Sequence, residues 1–243
     1  MRFDVVTLFP EMFGDFLGTS FVGRAIAGKQ MAVRLRSPRD FGLGKHRSVD
    51  DTPYGGGSGM VMRVDVLVPA MESLDADAPE GLRAHRVLLT PQGTVLSQHK
   101  VTEIAQRNAV MLVCGRYEGF DERVRDHVHE EISIGDFVMT GGEVAAMAIV
   151  DACSRLLPGV IGNEASTIDE SHSAATGGLL EYPHYTRPVE FRGVRVPDIL
   201  QGGNHAQIAK WRREQAIART RARRPDLWDR FRAETAKKGE GGA

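Results

Sequence analysis

Apolar residues in this chain gather in short, nearly continuous runs separated by segments of helical period. Phe3-Asp4-Val5-Val6-Thr7-Leu8-Phe9 reads as a strand ended by Pro10, and Arg86–Thr90 as a second ended by Pro91-Gln92-Gly93. Ala109–Cys114 is a third, ended by Gly115, and Ser133–Val138 a shorter fourth. Such runs suit strands buried on both faces of a parallel sheet with helices on either side. Helical periods near residues 11–28, 65–74, 97–107 and 143–157 alternate with them, which predicts an α/β layer fold for residues 1–160. Ligands of such sheets bind beyond the carboxyl ends of the strands. The loops starting near Thr90, Gly115 and Phe137 are therefore the informative ones.

From Gly159 to about Gly178 the pattern breaks down into Gly, Asn, Ser, Thr, Asp and His, so residues 161–178 read as a linker. Residues 179–243 form a small, mainly helical unit. Asn204 can cap a helix with Ile208 and Trp211 on one side, ending before Pro225.

Composition adds one thing. The chain has 243 residues, 42% hydrophobic and 26% charged, which excludes disordered and low-complexity classes, and its formal net charge is −1. Residues 201–243 nevertheless carry +6 and the remainder −7. A basic terminal unit makes a polyanion such as nucleic acid a candidate partner, a solvated helix face being the plain alternative. No run of 18 apolar residues and no signal-peptide pattern occurs, so no membrane association is expected. Cys114 and Cys153 both sit in apolar surroundings and read as reduced thiols of a cytoplasmic protein.

Four segments could carry chemistry. Tyr54-Gly55-Gly56-Gly57-Ser58-Gly59-Met60 allows close backbone approach to a ligand, or is a structural turn; it lacks the Gly-Lys-Ser/Thr ending of a phosphate loop. In LVCGRYEGFDERV (112–124) a buried strand delivers Gly115, Arg116, Tyr117 and Glu118 to its mouth. In SIGDFVMTGGE (133–143), Gly141-Gly142 opens a helix whose backbone amides can hold a polar group, or simply starts it. On that helix Ala145, Ile149, Cys153 and Leu156 form a core face. Asp151 and Arg155 share another face, as a plain ion pair or with Arg155 aimed at a substrate beside a linker carboxylate. The histidines and cysteines show no metal-ligand spacing, so no metal site is expected.

Taken in order, TLFPEMF (7–13), SPRDFG (37–42), HRSVDDTPYGGGSGM (46–60), TPQG (90–93), LVCGRYEGFDERV, SIGDFVMTGGE, DACSRLLPGV (151–160), LLEYPHYTRP (179–188) and GNHAQIAKWR (203–212) cover nearly the whole chain. In these motifs the sequence resembles the bacterial tRNA (guanine-N1)-methyltransferases of the SPOUT superfamily. The resemblance implies a homodimer and a deep trefoil knot in the parallel-sheet domain, which no strand pattern reveals by itself. It implies S-adenosylmethionine as donor and the guanosine immediately 3′ of the tRNA anticodon as acceptor. Alternatives are a SPOUT methyltransferase of another RNA and a non-catalytic RNA-binding protein.

By motif the donor would lie against Leu89, Thr90, Pro91 and Gly93; against Gly115, Tyr117 and Glu118; and against Ile134, Gly135, Asp136, Phe137, Val138, Met139, Gly141 and Gly142. Glu118 is in addition a candidate for charge near the sulfonium or for binding Mg²⁺. Asp50 and Gly59 would lie near the target guanine, and Arg212 and Arg213 would bind tRNA phosphates. Arg155 matches the family's catalytic arginine. The family's catalytic aspartate precedes a Ser-Phe or Ser-His pair, but here Asp169-Glu170-Ser171-His172 puts a glutamate in strict register. Glu170 is the favoured base and Asp169 its competitor.

Overall fold

A computed structural model describes residues 1–162 and 170–240. The chain divides into two units, Met1–Gly162 and Asn163–Ala243. In the first unit, β1 (Arg2–Val6) is followed by α1 (Gly14–Gly18), α2 (Ser20–Ala27) and β2 (Ala32–Arg36). The short strands β3 (Asp50–Asp51) and β4 (Val61–Met62), then α3 (Val64–Ala76), β5 (His85–Val95) and α4 (Gln98–Ala105) come next. The unit closes with β6 (Ala109–Cys114), β7 (Glu130–Ser133) and α5 (Glu143–Ser154). Five strands form one sheet in the order β2-β1-β6-β5-β7, with every neighbouring pair parallel.

The apolar runs are explained by burial on both faces. Along β6, Val110, Leu112 and Cys114 join Phe3, Val5, Ile104 and Ile149 on one side, while Ala109, Met111 and Val113 join Val6, Val66 and Met71 on the other. Each run alternates between two cores, so neither face can be polar. The exception is Asp4, fully buried within β1, which accepts a two-pronged pair of hydrogen bonds from Arg34 (2.7 and 2.9 Å) and one from Arg2 (3.1 Å).

Two strand assignments change. The edge strand β2, whose residues are only half-buried apart from an exposed Ala32, leaves no continuous apolar run to read. The fourth strand lies at Glu130–Ser133, not 133–138. It ends because the Ser133 hydroxyl donates to the Gly135 carbonyl (3.0 Å) and accepts from the Gly135 amide (3.2 Å), turning the chain out of the sheet. Ile134, Phe137 and Val138 have strand-forming side chains but belong to the following loop.

The second unit contains a two-residue hairpin of β8 (Glu190–Phe191) and β9 (Val194–Arg195), then α6 (His205–Arg223) and α7 (Pro225–Glu240). The Asn204 side chain caps α6 by accepting from Gln207 N (3.2 Å). Residues 170–181 are bonded into this unit: His172 N donates to Leu179 O (3.0 Å) and Leu180 N to the Thr220 hydroxyl (2.9 Å). Among the described residues no helix is long and apolar enough to cross a membrane.

Candidate active site

Strand register brings the three informative loops together. Leu89 pairs with Cys114 on one side and Ile132 on the other, so β5, β6 and β7 release their loops side by side. After Leu89 the β5 chain leaves its ladder and rejoins it at Thr94, again opposite Ile132, so Thr90, Pro91, Gln92 and Gly93 stand out from the sheet. A Cβ at Gly93 would lie 2.5 Å from the backbone of Glu131 and Ile132, so only glycine lets the chain re-enter there. Gly142 donates to Gly115 O (3.0 Å), and a Cβ on Gly142 would lie 2.9 Å from Cys114 Cα.

A buried acid locks this arrangement. Glu143 opens α5 with 1% exposure and accepts from the Thr7 hydroxyl (2.9 Å) and from Arg116 Nε (3.0 Å) and Nη2 (3.0 Å). Arg116 also donates to Thr140 O (3.2 Å) and lies 4.4 Å over the Phe9 ring. One guanidinium thus ties the loops after β1, after β6 and before α5. Sequence reading quoted both residues within motifs but gave neither a role, because nothing local shows that residues 27 positions apart meet. Arg116→Ala would leave Glu143 buried without its cation, a loss of about 3–5 kcal/mol. At this chain length the melting temperature should fall by roughly 10 °C, read by calorimetry. Cys114, beneath the same loops, is no nucleophile: burial, then the Glu143 charge, pushes its thiol well above its usual range. Burial likewise pushes the Cys153 thiol up to about 12.

The glycine-rich segment joins this end of the sheet. Glu118 N donates to Met60 O (3.0 Å), Met62 N to Gly119 O (2.9 Å) and Asp121 N to Met62 O (2.9 Å). A side chain on Gly59 would run into the Glu118 carboxylate. Tyr117, in the left-handed region at φ 61°, lies near enough to Asp50 to feel its charge. Burial, then the Asp50 charge, pushes that phenol up. Asp50, Gly59, Tyr117 and Glu118, predicted from separate motifs, therefore form one mouth. In the loop after β7, Phe137 and Val138 are exposed, at 55% and 85%, while Ile134 and Met139 pack on the core. Asp136 is exposed, and Gly135 and Gly141 are half-buried.

The remaining predicted residues belong to other elements. Arg155 caps the far end of α5, half-buried and in contact with other residues. Twelve helical residues separate it from Gly142, a rise of about 18 Å. Glu170 belongs to the second unit, where its carbonyl accepts from Ser173 N (3.2 Å); Asp169 lies outside the described residues. Arg212 stacks 4.7 Å over the Tyr182 ring, and Arg213 donates to Thr176 O (3.0 Å) and stacks 5.2 Å over Phe231. Both arginines brace their own unit while keeping exposed surface.

The sequence model of the family described as tRNA (Guanine-1)-methyltransferase TrmD matches residues 1–230. The chain belongs to this family. A relative from Sorangium cellulosum, named tRNA (guanine-N(1)-)-methyltransferase, is 65% identical over 96% of this chain and 95% of its own. Relatives of the same name from Gloeobacter violaceus and Geobacillus kaustophilus are 53% and 50% identical, over 93% and 95% of this chain and 98% and 93% of their own.

A member of this methyltransferase family is an enzyme, and membership implies S-adenosylmethionine as methyl donor. The loops fit such a group. Glycines stand where any side chain would strike backbone, and exposed apolar side chains flank them, which suits a nucleoside gripped by main-chain groups. Among the described residues no three His, Cys, Asp or Glu side chains come together to hold an ion.

Proposed function

We propose that the chain transfers a methyl group from S-adenosylmethionine to N1 of the guanosine immediately 3′ of the tRNA anticodon, acting as a cytoplasmic homodimer. The observation that carries this reading is the meeting of the Leu89–Gly93, Gly115–Glu118 and Ile134–Gly142 turns at one end of the parallel sheet, joined there by Asp50 and Gly59. A deep trefoil knot in the first unit is part of the same reading and rests on the resemblance alone. Residues 1–160 would then form the donor domain, 161–178 a linker bearing the catalytic carboxylate, and 179–243 the tRNA-binding domain.

When bound, S-adenosylmethionine supplies a methyl group on a positively charged sulfur that departs as a neutral thioether. Leu89, Thr90, Pro91, Gly93, Gly115 and the Ile134–Met139 segment hold it through backbone and apolar contacts. Glu170, or Asp169 in its place, accepts the N1 proton as general base. Arg155 donates hydrogen bonds to the guanine carbonyl oxygen, where negative charge develops. Arg212 and Arg213 add phosphate contacts, which position the RNA rather than read it. The rise of about 18 Å from Gly142 to Arg155 is more than one side chain spans. That separation supports a site in which the Arg155 of one subunit serves the donor loops of the other. The exposed Phe137, Val138 and Val144 offer that interface apolar surface.

The test is labelled methyl transfer to an unmodified tRNA transcript carrying guanosine beside its anticodon, followed by primer extension. A stop at that guanosine is expected. A stop at another nucleotide, or no transfer, overturns the reading.

A further inference from the structure

The segment leading into Asp50 is built more firmly than its exposure suggests. Leu43 through Ser48 are all exposed, yet Leu43 and Ser48 exchange two backbone hydrogen bonds of 3.0 Å, and Arg47 N donates to Gly44 O (3.2 Å). A side chain on Gly42 would collide with the Arg47 carbonyl, so the base of the hairpin is closed tightly. Arg47 itself sits at φ 50°, a left-handed conformation rarely given to arginine. The base is anchored in turn: Val49 is buried, its carbonyl accepts from Arg63 N (2.9 Å), and Asp50 pairs with Met62 in the β3–β4 ladder.

The tip of this hairpin is Gly44-Lys45-His46-Arg47. Among the described residues neither Lys45 nor Arg47 has an acidic partner, although residues 1–200 carry a net −7. Arg39, exposed at the preceding turn, lies close enough to Tyr117 to pull its phenol down against the stronger upward effects. A rigid, uncompensated basic tip thus stands beside the mouth of an otherwise acidic unit. Three residues of chain reach at most about 10 Å, so Arg47 stays within that distance of Asp50.

We propose that the Gly44–Arg47 tip clamps the RNA backbone, Lys45 and Arg47 pairing with phosphates of nucleotides that flank the methylated guanosine. Preorganisation suits the task, since a backbone-bonded hairpin loses less main-chain freedom on binding than an open loop. The clamp contributes affinity and register, not base choice. It rests on the functional reading above and adds to it the surface that holds the strand still.

The experiment uses the full-length chain with Lys45→Ala combined with Arg47→Gly. Glycine suits φ 50°, so the hairpin should persist and the melting temperature should hold or rise. The KM for tRNA should increase roughly ten- to thirtyfold at 0.1 M salt, and the slope of log affinity against log salt should flatten by about 1.4 for two lost contacts to a single strand. The kcat at saturating tRNA and the affinity for S-adenosylmethionine should not change. Exchanging the two residues as Lys45→Arg with Arg47→Lys should retain affinity. An unchanged KM and salt slope overturns the clamp, as does loss of the dimer in sedimentation with tRNA affinity intact, which makes the tip a subunit contact. A wild-type chain that methylates no tRNA overturns the functional reading instead.

Discussion

Arg155→Ala is expected to lower kcat for tRNA methylation by about 10²–10³, the effect of deleting one donor aimed at a developing oxyanion. The affinity for S-adenosylmethionine, followed by calorimetry, should stay nearly as it was. Arg155 sits at the end of α5 opposite the glycine-lined turns, about 18 Å along the axis. Removing it therefore leaves the glycine-lined turns of the same chain untouched. Equal loss of donor binding and turnover would make Arg155 a binding residue instead. Arg155→Lys should recover little, because a point charge does not reproduce the planar fork. Subunit mixing gives a sharper reading. Mixing Arg155→Ala subunits with Gly142→Val subunits, whose added side chain meets Cys114, should form dimers holding one intact site. Activity recovered on mixing supports a shared site, and continued inactivity of a proven mixed dimer argues for a site within one subunit.

What was legible in the sequence follows from what burial imposes on it. β1, β5 and β6 were visible because each alternates between two apolar cores and can spare no polar face. The edge strand β2 escaped notice because solvent reaches one side of it, and its Ala-Val-Arg-Leu-Arg sequence is then unremarkable. β7 was misplaced because Glu130 and Glu131 look unlike a buried strand, yet both are paired: Glu130 with His85 and Lys100, Glu131 with Arg125. The three turns at one end of the sheet were singled out by a general property of parallel sheets, that ligands gather at strand carboxyl ends. The contact between Tyr117 and Asp50, and the Thr7–Glu143–Arg116 clasp, are long-range meetings without a local pattern. The roles proposed for Arg155 and the linker acid rest on motif resemblance alone; spacing gave only a shared helix face with Asp151.

The choice between the two linker acids is open to a direct experiment. Glu170→Gln is expected to slow single-turnover methylation by about 10²–10⁴, as for loss of a general base, while Asp169→Asn changes it less than tenfold. The reversed pattern assigns the role to Asp169, and two near-normal rates discard both. The residues after Glu170 give its side chain a fixed origin. The next two residues are bonded across the segment: the Ser171 hydroxyl accepts from Glu181 N (2.9 Å) and His172 N donates to Leu179 O (3.0 Å). A base must hold its oxygen within hydrogen-bond reach of one ring nitrogen, and a displacement of about 1 Å can cost a hundredfold. Shortening the acid should therefore be nearly as damaging as neutralising it. Glu170→Asp should fall well below wild type despite keeping its charge, whereas a base supplied by Asp169 would leave that variant close to normal.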